Sequence, residues 1–286
     1  MISIVIALYN KENSIKKTID SILSQKQFDD YEIIVVDDGS TDNSYIVVAS
    51  YNCDKIKLYK KENGGPASAR NYGVRKATGH WIIFMDADDY FLPGALKIFS
   101  SLTEKHKEYQ CFCCNYMLVE KEHLYKRTYI MPNGKCLDPY KKWLTRQFSP
   151  RAGAAMYHKE VLLKHSFNEN LRRFEDAQVS FDIMRKYKFF CCNKPVMVYN
   201  CDTIAASHPR NNPKEDFLSC LDINNKSFWE RVALYSFYKK AILLYPEYAR
   251  SVYRKEDYDK TVYKIALKYI LLYHKIDNII RRFFEK

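Results

Sequence analysis

No run in this 286-residue chain is long and apolar enough to span a bilayer as a helix, which excludes helical membrane channels and carriers. The apolar start, Met1 to Ala7, is short and has no basic segment ahead of it, so it reads as a strand rather than a secretory leader. No repeat of fixed period is visible, which removes solenoids and propellers. Neither the Walker loop nor the dinucleotide-binding fingerprint occurs. No RNA- or DNA-binding motif occurs either, although the net charge of +12 calls for an anionic partner. With no leader, the nine cysteines are expected to be reduced thiols of a cytoplasmic protein. Cys111 to Cys114 and Cys191-Cys192 fall in aromatic, strand-like runs. There Cys111 and Cys114 face opposite ways, which favours buried thiols over a zinc site.

What is present is an alternation of strand and helix signals. Residues 2–8, 31–36, 56–59 and 81–85 are apolar runs of strand length. Between them lie a helix from Asn10, as cap, to about Gln25, a turn and helix start at Thr41-Asp42, and a helix from Ala67 to Ala77. This order predicts an α/β fold with a parallel sheet and right-handed crossovers. Beyond it the pattern predicts a helix from Pro93 to Leu102, strands over 109–119 and 125–131, and a helix over 139–147. A strand over 153–157, a helix over 175–187 and a strand region over 189–200 follow. From about Asp216 the chain reads as helices rich in Lys, Tyr, Leu and Ile.

The run Trp81 to Asp89 ends a buried strand in three carboxylates. Asp86 and Asp88 are two apart, so an extended backbone points them the same way. Paired hard oxygens at a strand's C-terminal tip suit Mg²⁺ or Mn²⁺ carrying a phosphate. A second acidic tip, Asp37-Asp38, ends the second strand. Between them, Asn63-Gly64-Gly65-Pro66 opens a helix whose free N–H groups, with Arg70, suit phosphate. Together these describe a nucleoside-diphosphate site.

Four segments resemble the motifs of family-2 glycosyltransferases, in that family's order and spacing. They are Ile4 to Asn10, Val35 to Asp42, Asn63 to Asn71, and Phe84 to Asp89. The resemblance is clear over the first ninety residues and extends to about residue 200. It implies a GT-A fold, a nucleotide-sugar donor (UDP-sugar favoured), a divalent cation and inverting transfer. By position, Tyr9 would stack on the donor base, and Asp38 with Asp37 would contact base or ribose. Arg70 would reach the nucleotide, Asp86 the ribose or sugar, and Asp88 the metal-bridged diphosphate. Ala7, where many members carry Pro, and Ala87 complete the donor set. Phe174-Glu175-Asp176 resembles the family's Glu-Asp motif, making Asp176 the base and Glu175 its neighbour. His208 is a further candidate for the metal or diphosphate.

The expected organisation is a donor half over 1–105, an acceptor half over 106–214 and a helical extension over 215–286. The extension from Lys226 carries 14 Lys and Arg against 7 Asp and Glu. Ile265, Tyr269, Leu272, Ile276, Ile279 and Phe283 fall on one helical face with lysines beside it. Two readings follow for 260–284: a helix lying on an anionic membrane at its inner face, or one packed on the catalytic domain. The Gln-x-x-Arg-Trp signature of processive synthases is absent. Addition of one sugar to a glycan or lipid-linked acceptor, in cell-surface polysaccharide synthesis, is therefore expected. A polyprenyl-phosphate sugar synthase, a basic nucleic-acid-binding protein and an inactive glycan-binding module are the competing readings. The acidic residues retained at 86, 88 and 176 weigh against the last.

Overall fold

A computed structural model describes residues 1–120, 123–126, 131, 133–201, 212–224, 226–254, 257, 260–270 and 272. In chain order the elements begin β1 (Ile2–Leu8), α1 (Ile15–Leu23), β2 (Tyr31–Asp37), α2 (Ser44–Ala49), β3 (Ile56–Lys60), α3 (Gly65–Lys76) and β4 (Trp81–Asp86). They continue with β5 (Tyr90–Phe91), α4 (Ala95–Lys105), β6 (Cys111–Glu120), β7 (His123–Lys126), β8 (Gly134–Lys135), α5 (Pro139–Leu144), β9 (Ala155–His158) and α6 (Lys159–Lys164). Last come α7 (Glu175–Lys186), β10 (Phe189–Asn200), α8 (Phe228–Leu244) and α9 (Pro246–Val252). The chain forms two compact units. One comprises residues 1–136 and 150–209, the other 137–149 and 210–286.

The first unit is built on one sheet in the order β3-β2-β1-β4-β9-β6-β10-β5, with β7 beside β6 and β8 beside β10. Strands β1 to β4 pair in parallel, as the alternation of strand and helix predicts. The remainder is mixed. Strand β9 runs antiparallel to both β4 and β6, while β6 and β10 are parallel. Period-2 alternation sends Ile4, Ile6, Ile33, Val35, Ile83 and Met85 into one core with Ile15, Ile19 and Ile22 of α1. Val5 points to the other face. There a Cβ on Gly73 of α3 would lie 2.3 Å from Val5 Cγ1, so glycine lets that helix approach the sheet. Helices thus cover both faces, which accounts for strands without polar alternation. The cysteines of β6 and of β10 up to Cys192 are buried free thiols, as expected.

Two local expectations fail. Helix α1 begins at Ile15, and Asn10 does not cap it. Asn10 adopts a left-handed backbone (φ 51°), and its side-chain oxygen accepts from Thr41 N at 2.8 Å. The residue ties the loop after β1 to the loop after β2, a long-range use that local spacing does not reveal. Pro93 lies outside α4, because Gly94 takes φ 79° and the helix starts at Ala95. The two-residue strand β5, too short for any periodicity signal, precedes that turn.

In the second unit α5 packs on α8, with the Trp143 and Phe237 rings stacked 5.5 Å apart. The Tyr253 hydroxyl donates to Leu218 O (2.7 Å) and accepts from Leu221 N (2.9 Å), pinning the segment after α9 to that ahead of α8. Residues 261–270 are helical, as predicted. Among the described residues no helix is long and apolar enough to cross a membrane.

Candidate functional site

The parallel register sets Leu8 beside Asp37 and Ala7 beside Asp86, so the acidic tips of β2 and β4 end at one edge of the sheet. Backbone N–H and C=O groups freed there, and the loops that leave the strands, form the site.

The Asp37-Asp38 pair divides its roles. Asp38 is buried. Its Oδ1 accepts from Lys61 Nζ (2.7 Å) and Gly64 N (2.9 Å), and its Oδ2 from Gly65 N (2.7 Å). Its backbone carbonyl accepts from Asn63 Nδ2 at 3.0 Å. Asp38 therefore latches the Asn63–Gly65 loop in place. Gly65 suits that latch, because its φ is +86° and a Cβ there would meet Arg172 Nη1 at 2.1 Å. Asp37 is fully buried; Oδ1 accepts from Ser40 N (3.3 Å), and Oδ2 has no hydrogen-bond partner. Tyr9 stands at the rim of the same edge with 46% of its surface exposed.

On β4, Asp86 is half-buried and Asp88 lies just beyond the strand end. Asp88 Oδ2 takes the Lys11 ammonium at 2.7 Å. Ser14 Oγ donates to the carbonyl of Ala87 at 2.9 Å, holding the turn between the two acids against the start of α1. Asp89 points inward, where Oδ1 accepts from Asn200 N at 2.8 Å. Burial, together with neighbouring Asp86, raises its carboxyl well above the usual range.

Arg70 joins this edge to the far half of the unit. It projects from α3, is buried, and reaches Asp86 Oδ1 with Nη2 (3.0 Å) and Glu175 Oε1 with Nη1 (2.7 Å). Its guanidinium also lies 5.4 Å from the Phe167 ring centroid. Asn71, next in sequence, holds the segment carrying Phe167 by exchanging bonds with the Phe167 backbone at 2.9 and 3.0 Å. Glu175 opens α7. Its carboxyl is raised by burial, against the pull of Arg70. Phe174 just before it has a left-handed backbone (φ 55°), which turns the chain sharply into the helix. Asp176 is exposed, with Oδ1 held by Ala177 N at 2.8 Å.

Arg70, Asp86 and Asp176 line one pocket with Arg151 and Tyr199. Its inner wall is apolar, including Phe84, Phe167 and Ile183. The structure thus brings together Asp86, Arg70, Glu175 and Asp176, with Asp88 just past the tip of β4 and paired with Lys11. It sets Tyr9, Asp37 and Asp38 along the neighbouring strand tips. His208 lies outside the described residues. Sequence reasoning missed Lys11, which directly follows a quoted motif, and Arg151 and Tyr199, which no local pattern marks.

Asp88 suits a hard divalent cation. Its Oδ2 already faces a cation, Lys11, and one carboxylate with substrate phosphates is a usual Mg²⁺ donor set. Among the described residues no group of three or more His, Cys, Asp or Glu could by itself hold a metal.

The model of the family described as "Glycosyl transferase family 2" matches residues 3–165. The chain is 35% identical over 125 residues to "Uncharacterized glycosyltransferase RT0329" of Rickettsia typhi, covering 43% of this chain and 39% of that protein. It is 30% identical over 207 residues to the GalNAc(5)-diNAcBac-PP-undecaprenol beta-1,3-glucosyltransferase of Campylobacter jejuni, covering 69% and 64%. The chain therefore spans less than two thirds of either relative. Among solved structures, S. aureus TarS 1–349 in complex with UDP-GlcNAc superimposes with a TM-score of 0.67. That match is 19% identical and covers 85% of this chain and 72% of that one. This likeness shows the fold, the GT-A arrangement expected from the sequence.

Replacing Arg70 by Met strands Glu175 as a buried carboxyl without its cation. The expected cost is about 3–5 kcal/mol at neutral pH. The sign follows from Glu175, whose raised folded-state carboxyl tolerates burial when protonated. The loss should therefore be small at acidic pH and grow as pH rises past the ordinary carboxylate range. Denaturant midpoints of the wild type and Arg70→Met across pH 4–8 read this out. A pH-independent difference contradicts it.

Proposed function

Because the chain belongs to glycosyl transferase family 2, we propose that it moves one sugar from a nucleotide-diphosphate sugar to an acceptor hydroxyl with inversion at the anomeric carbon. The observation that carries this reading is the Arg70 bridge, which ties Asp86 to Glu175 at the head of α7, so that Asp86 and Asp176 line one pocket. Asp37, with an unpartnered buried oxygen, offers an acceptor to the ribose or base, and Tyr9 offers a ring to the base. Asp38 acts behind them by fixing the glycine loop. Ala7 and Ala87 contribute backbone to the donor edge. Of the two α7 acids, Asp176 is the base. It is exposed on the pocket, whereas Glu175 is buried and committed to Arg70. The acceptor oxygen attacks the anomeric carbon, the bond to the diphosphate breaks, and the acceptor proton passes to Asp176. Asp88 would hold Mn²⁺ or Mg²⁺, whose charge neutralises the departing diphosphate. In this reading Lys11 yields Asp88 to the cation and turns to phosphate.

A UDP-sugar is the favoured donor, supported by the UDP-GlcNAc bound in the TarS structure. A lipid-linked glycan is the favoured acceptor, supported by the undecaprenol in the name of the Campylobacter relative. We further infer that the second unit touches the membrane carrying such an acceptor. Ile265, Tyr269 and Leu272 expose more than half their surface along one helical face, with exposed Lys264 and Lys268 beside them. Apolar burial and lysine charge together bind anionic lipid.

Two measurements test these proposals. Asp176→Asn keeps size and capping ability but loses basicity. It should retain Mn²⁺-dependent nucleotide affinity and lose transfer by about 10²–10⁴-fold, whereas Asp88→Asn should lose the Mn²⁺ dependence itself. Near-normal transfer by Asp176→Asn, or undiminished Mn²⁺ dependence in Asp88→Asn, refutes the respective assignment. For the helix, sedimentation with vesicles should show binding that rises with anionic lipid and falls with salt. An Ile265→Ser/Tyr269→Ser variant that binds as well as the wild type sinks the membrane proposal.

A further inference from the structure

The pocket that holds Asp86 and Asp176 contains one cation that the proposed transfer leaves unused. Arg151 follows Pro150 ahead of β9. Its guanidinium lies 3.9 Å from the Tyr199 ring centroid and 5.4 Å from that of Tyr116. Those rings stand edge to face, 6.5 Å apart, on the adjacent strands β6 and β10. The two rings fix the guanidinium plane.

Three other cations at this edge are committed to carboxylates. Arg70 has two carboxylates, Lys11 has Asp88, and Lys61 has Asp38. Arg151 makes no ion pair with a described residue, and its Nε is buried without a hydrogen-bond partner. Asp176 acts on the guanidinium from the same pocket, and the buried Nε that still lacks an acceptor is the donor a ligand can satisfy. The partner that best matches a planar fork of donors is an oxyanion, a carboxylate or a phosphate. Tyr199 as a rigid wall keeps that fork aimed and lowers the entropic cost of binding.

We propose that Arg151 is an oxyanion-binding residue of this pocket, engaging a carboxylate or phosphate oxygen of the bound donor. The inference rests on the transferase reading above and adds to it a residue that binds the donor. The oxyanion has two sources. One is the carboxylate of a hexuronic acid seated in the pocket. The other is the donor's diphosphate, which every nucleotide-sugar carries.

The test is calorimetric titration of the full chain with Mn²⁺. The ligands are UDP, GDP and dTDP, each free, as its hexose and as its hexuronate. Wild type is compared with Arg151→Met and Arg151→Lys, and melting temperatures are recorded in parallel. A carboxylate partner predicts that wild type prefers hexuronate over hexose by about 10- to 100-fold, that Arg151→Met loses the preference, and that free nucleotide affinity is unchanged. A diphosphate partner predicts that Arg151→Met weakens free nucleotide and both sugars by the same factor. In either case Arg151→Lys should recover part of the loss. Equal affinities in wild type and Arg151→Met for every ligand overturn the proposal, and with a lowered melting temperature they make Arg151 a structural clamp. A wild type that binds no member of the panel refutes the transferase reading and this inference together. Binding without an Arg151 effect refutes this inference alone.

Discussion

Arg70 placed between Asp86 and Glu175 is the constraint on which the site depends. A buried ion group is expensive to assemble. Each ion forfeits several kcal/mol of hydration, and mutual attraction repays this only when geometry and remaining hydrogen bonds are satisfied. Here the attraction comes from two carboxylates on elements more than eighty residues apart in sequence. The cluster therefore favours the arrangement in which the tip of β4 and the head of α7 converge. Its net contribution to stability is modest, and its main effect is on geometry.

The surroundings hold that geometry from several sides. Asn71 grips the backbone at Phe167, whose ring forms the apolar wall under the guanidinium. The left-handed backbone at Phe174 lets α7 begin with Glu175 turned inward and Asp176 exposed. A backbone in that region costs of order 1–3 kcal/mol and persists only where its surroundings determine it. Across the sheet, Asp38 fixes the glycine loop through three hydrogen bonds to its side chain. Both ends of the proposed donor site are thus positioned by buried charges, and the exposed groups between them remain available to substrate.

The four parallel strands were legible because each is an apolar run of strand length, separated by helix-length segments with recognisable starts. Beyond β4 the longer strands were legible as runs, but their order and direction in the sheet were not. Strand β5 has two residues, β9 has four, and the pairing of β9 between β4 and β6 is a long-range choice that no local period encodes. The acids at 37, 38, 86, 88, 175 and 176 were visible as residues at strand tips and a helix start. How they share the work was not. Asp38 turns inward to the loop because Lys61 and two glycine N–H groups meet it, and that depends on the fold of residues 61–65. Arg151 was illegible for the same reason, since its tyrosine walls, Tyr116 and Tyr199, come from two strands far from it in sequence.

The central claim is a single displacement in which Asp176 serves only as a base and no side chain bonds to the sugar. The anomeric configuration of the first-formed product tests this most directly. With an α-linked nucleotide-sugar and a competent acceptor, proton NMR of a single turnover should show only the β-linked product. An α-linked product would require a second displacement or a different approach of the acceptor, and would contradict the account.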